Sequence, residues 1–274
     1  MSIKLGDLDL NSLSIILGIS SQKILKLSKI APILYHEVTI SQKNGKTRKI
    51  EIPDHKLKKA QKIILHEIFY KLPIHPLIFG GPGSSTKKAA LLHTRKHVLI
   101  AADIQDFFPS IKSFQIKRML QYHGATEDIS DLLTRLSTHK NHLPQGAPTS
   151  PAIGRLVLEP FARELENILK KIPQSSLSIY VDDIILSGPK GVKRFLPTIK
   201  KMLTRYGLKI NNKTKIMFKD EEQICLNIRV NDGIAPPTAY VQEMQELSKL
   251  VPPSDPRLKG KKSYIDYLKR PIIN

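Results

Sequence analysis

The sequence predicts an α+β fold. Three observations carry this reading: a strand-turn-strand pattern over residues 35–53, compact apolar runs abutting aspartates near 98–103 and 177–187, and amphipathic helical stretches between them. Asn11 or Ser12 is read as the cap of a helix over Leu13–Leu17, and Ser20 or Ser21 as the cap of a second through Lys29. The stretch YHEVTISQKNGKTRKIEIP alternates about Asn44-Gly45, a dipeptide suited to a tight hairpin. Asp54 then caps a helix with Leu57, Ala60, Ile63, Ile64 and Ile68 on one face and lysines opposite. Prolines and glycines break the chain over 73–83 before a short helix towards His97.

Val98–Ala102 reads as a buried strand that delivers Asp103 at its end. Helices are predicted over Ser113–Tyr122, Glu127–Ser137 and Ser150–Lys171. Leu177–Val181 and Ile184–Ser187 read as strands around Asp182-Asp183. A helix over Phe195–Tyr206 leads to short strands at Leu208–Ile210 and Lys215–Phe218, then to one at Ile224–Val230 before a turn at Asn231-Asp232-Gly233. Thr238–Leu250 and a basic segment after a Pro-rich break read as the closing helices.

A chain of 274 residues can bury a sizeable core, and 41% hydrophobic content excludes wholesale disorder. Cys225 is the single cysteine, which excludes an intrachain disulfide or a cysteine-rich metal cluster and suits a reducing compartment. The apolar run Ile15–Leu17, extended by Ile19, is too short to span a bilayer, so neither a signal peptide nor a membrane helix is expected. The formal charge of +20 points to a polyanion, nucleic acid first. Residues 1–100 carry 17 basic and 6 acidic side chains, 101–187 carry 9 and 10, and 188–274 carry 18 and 8. The basic excess therefore flanks a near-neutral middle that holds the unusual acids, a layout suited to gripping phosphates around a metal site.

Two acidic motifs lie in that middle third. Asp103-Ile104-Gln105-Asp106-Phe107-Phe108-Pro109-Ser110-Ile111 places a carboxylate at a strand exit, where it can hold a divalent cation. Tyr180-Val181-Asp182-Asp183 presses adjacent, mutually repelling acids between hydrophobic strands, an arrangement that a nearby cation relieves. Two ions about 4 Å apart activate a hydroxyl and stabilise a leaving group, so the acids point to nucleotidyl transfer or to a two-metal nuclease. A third motif, Leu143-Pro144-Gln145-Gly146-Ala147-Pro148-Thr149-Ser150-Pro151, enters a helix.

With all three in this order, the chain resembles reverse transcriptases, specifically the bacterial retron-type branch. Tyr35-His36, Lys43-Asn44-Gly45, Arg48-Lys49-Ile50, Pro53, Leu57-Lys58 and Gln61 extend the likeness to about residues 13–235. The resemblance implies a right-hand polymerase: fingers over 1–97, an antiparallel palm sheet with the catalytic motifs over 98–234, and a short helical, basic thumb over 235–274. It makes Asp103, Asp182 and Asp183 the catalytic and metal-binding acids, with the backbone of Ile104 beside them, holding two Mg²⁺ for which Mn²⁺ is a possible substitute. Phe108 falls where the family closes an aromatic against the sugar 2′ position. Gln145, Gly146 and Asp106 fall beside the incoming deoxynucleoside triphosphate. Arg48 and Lys49 look like triphosphate contacts, Arg being suited to bidentate phosphate binding. Lys213 is a candidate proton donor to pyrophosphate, with Lys215 its rival in register.

Tyr180 is placed with the nucleic acid, as are Lys259, Lys261, Lys262, Lys269 and Arg270 of the terminal segment, where Tyr264 and Tyr267 interleave with them. The resemblance further implies a structured noncoding RNA as template and primer, an RNA-linked DNA product, a separate effector protein, a role in anti-phage defence and a bacterial cytoplasmic location. Two departures stand out. Ala89 takes the place of Asn in an Asn-Ala-x-x-His element that retains Ala and His93, and Cys225-Leu226-Asn227 stands where retron enzymes commonly carry Val-Thr-Gly. An enzyme of the same class working on another RNA, and a catalytically idle RNA-binding scaffold, are the rival readings. His93/His97 and His139/His142 have ligand-like spacing but no evident third ligand, and are read as structural or surface histidines.

Overall fold

The structure, a computed structural model, describes residues 4–41, 45 and 47–271. Its first helix, α1 (Leu10–Leu17), starts earlier than predicted, because Asp9 rather than Asn11 or Ser12 caps it, accepting from the Ser12 amide at 2.7 Å. Helix α2 (Ser21–Ile30) follows, then the antiparallel strands β1 (Tyr35–Ser41) and β2 (Thr47–Pro53). Of the predicted turn, Lys43 and Asn44 lie outside the described residues, and Gly45 has φ +76°. Asp54 caps α3 (His55–Glu67) as expected, accepting from Leu57 N at 2.8 Å.

Next come β3 (Ile78–Phe79), α4 (Thr86–Leu91), β4 (Val98–Asp103), α5 (Phe107–Ser110), α6 (Ser113–Tyr122) and α7 (Glu127–Ser137). The single helix predicted from Ser150 is two, α8 (Ser150–Val157) and α9 (Glu159–Leu169). Pro160 explains the break, since it lacks the N–H that would bond the Leu156 carbonyl and its ring crowds that carbonyl. Strands β5 (Ser176–Tyr180) and β6 (Asp183–Gly188), helix α10 (Leu196–Arg205) and strand β7 (Lys215–Phe218) follow the predicted order. The strand predicted at Leu208–Ile210 is reduced to one bridge, Ile210 to Ile104.

The predicted Ile224–Val230 strand is a small hairpin, β8 (Ile224–Cys225) against β9 (Ile228–Arg229), before α11 (Thr238–Leu250) and α12 (Pro256–Lys269). Its turn residues Leu226 and Asn227 have φ +50° and +63°. A primed turn needs both central residues left-handed, a demand that Asn tolerates well. The departure from the retron Gly at Asn227 thus preserves the backbone shape.

The chain forms two compact units. The first comprises residues 1–75, 105–161 and 205–208. There the buried Gln61 amide donates to the Tyr35 hydroxyl and to the Leu136 carbonyl, both at 2.8 Å, tying β1, α3 and α7 together. The second comprises residues 76–104, 162–204 and 209–274. It holds a five-stranded sheet in the order β3-β5-β6-β4-β7, antiparallel except for β3 with β5. Beside that sheet, Leu99, Ile185, Met217, Cys225, Ile228 and Leu268 share one core. Burial pushes the Cys225 thiol up to about 12, leaving it an inert apolar filler.

His93 is wholly buried in this unit, with Nδ1 2.7 Å from Ser187 Oγ on β6 and Nε2 2.8 Å from Ser178 Oγ on β5. Burial lowers its pKa to about 3, so the ring is neutral and one nitrogen donates while the other accepts. His93 is structural, as its sequence reading had it. His93→Ala leaves two buried hydroxyls without this partner and is expected to cost about 2–5 kcal/mol, measured by denaturant unfolding. Wild-type stability in that variant would refute the role.

Candidate active site

The second unit builds a carboxylate site from two adjacent strands. β4 pairs with β6 so that Asp103 lies directly opposite Asp183, and Tyr180 pairs with Asp183 across the β5–β6 turn. Val181 and Asp182 are therefore the two turn residues, and Val181 has φ +58°. A β-branched residue in that region costs about 1–3 kcal/mol, strain that the flanking strands sustain. The Ile104 amide donates to the Asp182 carbonyl at 2.9 Å and anchors the turn to the end of β4. The structure thus brings Asp103, Ile104, Tyr180, Asp182 and Asp183 together.

The electrostatics match that crowding. Asp183 is pushed up to about 6, by burial first and then by the charges of Asp182 and Asp103. A half-buried aspartate held beside two further carboxylates is a donor set of the kind hard divalent cations neutralise, so the residues present fit such an ion.

Asn211 was missed by sequence reasoning. Its side-chain amide donates to Asp103 Oδ2, its backbone N–H donates to the Asp103 carbonyl at 2.8 Å, and its Oδ1 accepts from Lys213 N at 2.8 Å. It therefore orients Asp103 and fixes the loop that carries the exposed Lys213. The only signal was an asparagine two residues before that lysine.

The other predicted residues are described unit by unit. In the first unit, the loop at Gln145 docks on β2: Glu51 N–H donates to the Gln145 carbonyl at 2.8 Å, and Ser150 Oγ donates to the Pro144 carbonyl at 2.6 Å. Gln145 and Gly146 are thereby joined to the strand that carries exposed Arg48 and Lys49. Phe107 is buried against Gly154 while Phe108 is only half-buried, which separates the core aromatic from the candidate sugar contact. Asp106 is exposed with φ +45°, at the start of α5. On α12 of the second unit, Lys259, Lys262 and Lys269 are exposed, as is Arg270 just past its end. Lys261 instead pairs with Glu243 of α11 at 2.8 Å and lies 4.2 Å from the centre of the Tyr240 ring, so it braces the two helices.

The family described as reverse transcriptase (RNA-dependent DNA polymerase) matches residues 40–268. The chain belongs to the reverse transcriptase family. Among curated proteins, the retron Se72 reverse transcriptase of Salmonella heidelberg is 31% identical over 231 residues, covering 80% of this chain and 60% of that protein. The retron Mx162 reverse transcriptase of Myxococcus xanthus is 29% identical over 229 residues, covering 72% and 47%. The retron Ec86 reverse transcriptase of Escherichia coli is 29% identical over 213 residues, covering 75% and 65%. The chain is similar to these retron enzymes and spans about half to two thirds of their length. Among the described residues, no helix is long and apolar enough to cross a membrane.

Proposed function

We propose that the chain catalyses RNA-templated addition of deoxynucleotides to a primer 3′-hydroxyl. The observation that carries this reading is the in-register pairing of Asp103 with Asp183 beside the Asp182 turn. Asp103, Asp182 and Asp183, with the backbone of Ile104, would hold two Mg²⁺ or Mn²⁺ ions, which when bound supply positive charge at the attacking hydroxyl and the leaving pyrophosphate. Asn211 keeps the Asp103 carboxylate oriented. Arg48 and Lys49 hold the triphosphate, Asp106, Gln145 and Gly146 flank the nucleotide, and Phe108 excludes a ribose 2′-hydroxyl by its bulk. Lys213 holds a proton at Nζ and passes it to pyrophosphate. Tyr180 and the exposed cations of α12 take template-primer backbone. In this reading the chain divides along its sequence into fingers, palm and thumb.

By kinship with the retron enzymes, the template and primer are a structured noncoding RNA, the product is DNA joined to it, and the setting is anti-phage defence with a separate effector. Ala89 and Asn227 support a second reading in which the same chemistry serves a different RNA. The test is DNA synthesis by purified protein with its copurifying RNA, deoxynucleotides and Mg²⁺. Wild type is expected to make DNA and Asp182→Asn to make none, whereas identical behaviour of the two would overturn the polymerase reading. Sequencing the bound RNA separates the two templates.

A further inference from the structure

We propose a Zn²⁺ site in the first unit, formed by His139, His142, Glu51 and Glu37. Glu37 and Glu51 are direct cross-strand partners on β1 and β2. Like charges at that spacing destabilise a hairpin unless a cation lies between them. The cation side comes from the segment after α7, where His139 and His142 close a tight turn through reciprocal backbone bonds of 3.0 and 2.9 Å. The residues between them, Lys140 and Asn141, have φ +46° and +64°. Two non-glycine residues in left-handed backbone are a local cost, and this turn sets the two imidazoles side by side, ring centres 6.4 Å apart.

The Glu51 carboxylate sits between the rings, Oε1 3.7 Å from His139 Nε2 and Oε2 2.9 Å from His142 Nε2. Glu51 and His139 are 8% and 7% exposed, and His139 Nδ1 is buried with no hydrogen-bond partner. At 3.7 Å its Nε2 is also beyond hydrogen-bond range of Glu51, so this buried imidazole stands beside a carboxylate it does not bond. Ligand atoms of Glu37, Glu51 and His139 all lie within 4.8 Å of one another. Tetrahedral zinc with bonds of about 2.0–2.1 Å needs ligand separations of about 3.4 Å, so these three close with side-chain shifts of an ångström or so, while His142 stands outside their cluster and joins as fourth ligand from its 2.9 Å contact with Glu51.

Two imidazoles with two carboxylates favour zinc over magnesium, which prefers an all-oxygen shell. Lys140 now pairs with Glu37, but both side chains are well exposed, and releasing such a pair costs little. The third ligand that the His-x-x-His spacing lacked is therefore supplied by a hairpin about ninety residues earlier. Glu51 Oε2 also accepts from the Gln145 backbone N–H at 3.4 Å, so an occupied site would pin the Gln145 loop to β2.

The test is Zn²⁺ titration of chelator-stripped protein against a chromophoric competitor, alongside the visible spectrum of the Co²⁺ form. One ion per chain with tetrahedral cobalt bands is expected, retained in Asp183→Asn. His139→Gln, His142→Gln and Glu51→Gln are each expected to weaken binding at least about tenfold, with far-UV circular dichroism confirming that each is folded. Wild type without stoichiometric Zn²⁺ or tetrahedral cobalt bands would overturn the site, whether or not the variants fold. Unchanged affinity in folded His139→Gln or His142→Gln would overturn it as well.

Discussion

Asp183→Asn is expected to lower DNA synthesis by roughly 1,000-fold, about 4 kcal/mol of transition-state stabilisation, while making the metal-free protein more stable at neutral pH. Both effects come from one cause. Asp183 is held against Asp103 and Asp182 in a half-buried site that pushes its pKa from 3.8 to about 6. The fold therefore prefers the protonated acid, so the group's favourable contribution is complete below about pH 4 and is lost as pH rises through 6. Asn cannot ionise and escapes that loss. The melting temperature of wild type relative to Asp183→Asn, measured in chelator, should fall between pH 4 and pH 7, and added divalent cation should narrow the gap. A difference that does not change with pH would sink this account of the site.

Gly146→Ala is expected to do damage as well, through geometry instead of charge. Gly146 has φ +133°, and a Cβ there would lie 2.7 Å from Ile50 Cγ2 and 2.8 Å from the Glu51 carbonyl oxygen. The oxygen belongs to strand backbone and cannot move aside cheaply. Backbone strain and overpacking together amount to about 2–6 kcal/mol, most simply relieved by lifting the loop from β2 and breaking the bond between Glu51 N–H and the Gln145 carbonyl. We expect a lower melting temperature and at least a tenfold loss of synthesis, with a raised KM for deoxynucleotide. Gly191→Ala provides the contrast, because an added Cβ there meets nothing within 4 Å. If the two variants behave alike, the docked loop is irrelevant to nucleotide use.

Much of this was legible in the sequence where the signal is local. Asp54 followed by a helical apolar pattern, and apolar strands around Asp182-Asp183, are patterns of a few residues, and the corresponding elements formed where predicted. The losses fall where partners are distant or where one residue overrides a longer pattern. Pro160 split a helix whose apolar face runs on, and Leu226-Asn227 folded an apparently continuous strand back on itself. Asn211 bonds Asp103 across more than a hundred residues, and Glu51 meets His139 across nearly ninety. Nothing in the spacing of either pair marks the contact, because sheet register and loop docking decide it. Asp103, Asp182 and Asp183 stood out through motif order, while their shared electrostatics needed the pairing of β4 with β6.

That pairing also has a consequence for how the protein is made. β4 lies inside the sheet between β6 and β7, yet both neighbours are translated long after it. Asp103 waits 80 residues for Asp183, roughly 4–16 s at ribosomal rates of about 5–20 residues per second. Through that interval the nascent chain displays an apolar strand, Val98–Ala102, with both hydrogen-bonding edges open. A ribosome paused before residue 182 holds a polypeptide with one of the three clustered acids and an adhesive segment ready to pair with any neighbouring chain. When β6 emerges it covers one edge of β4 and completes the set of three acids, while the other edge stays open until β7 follows.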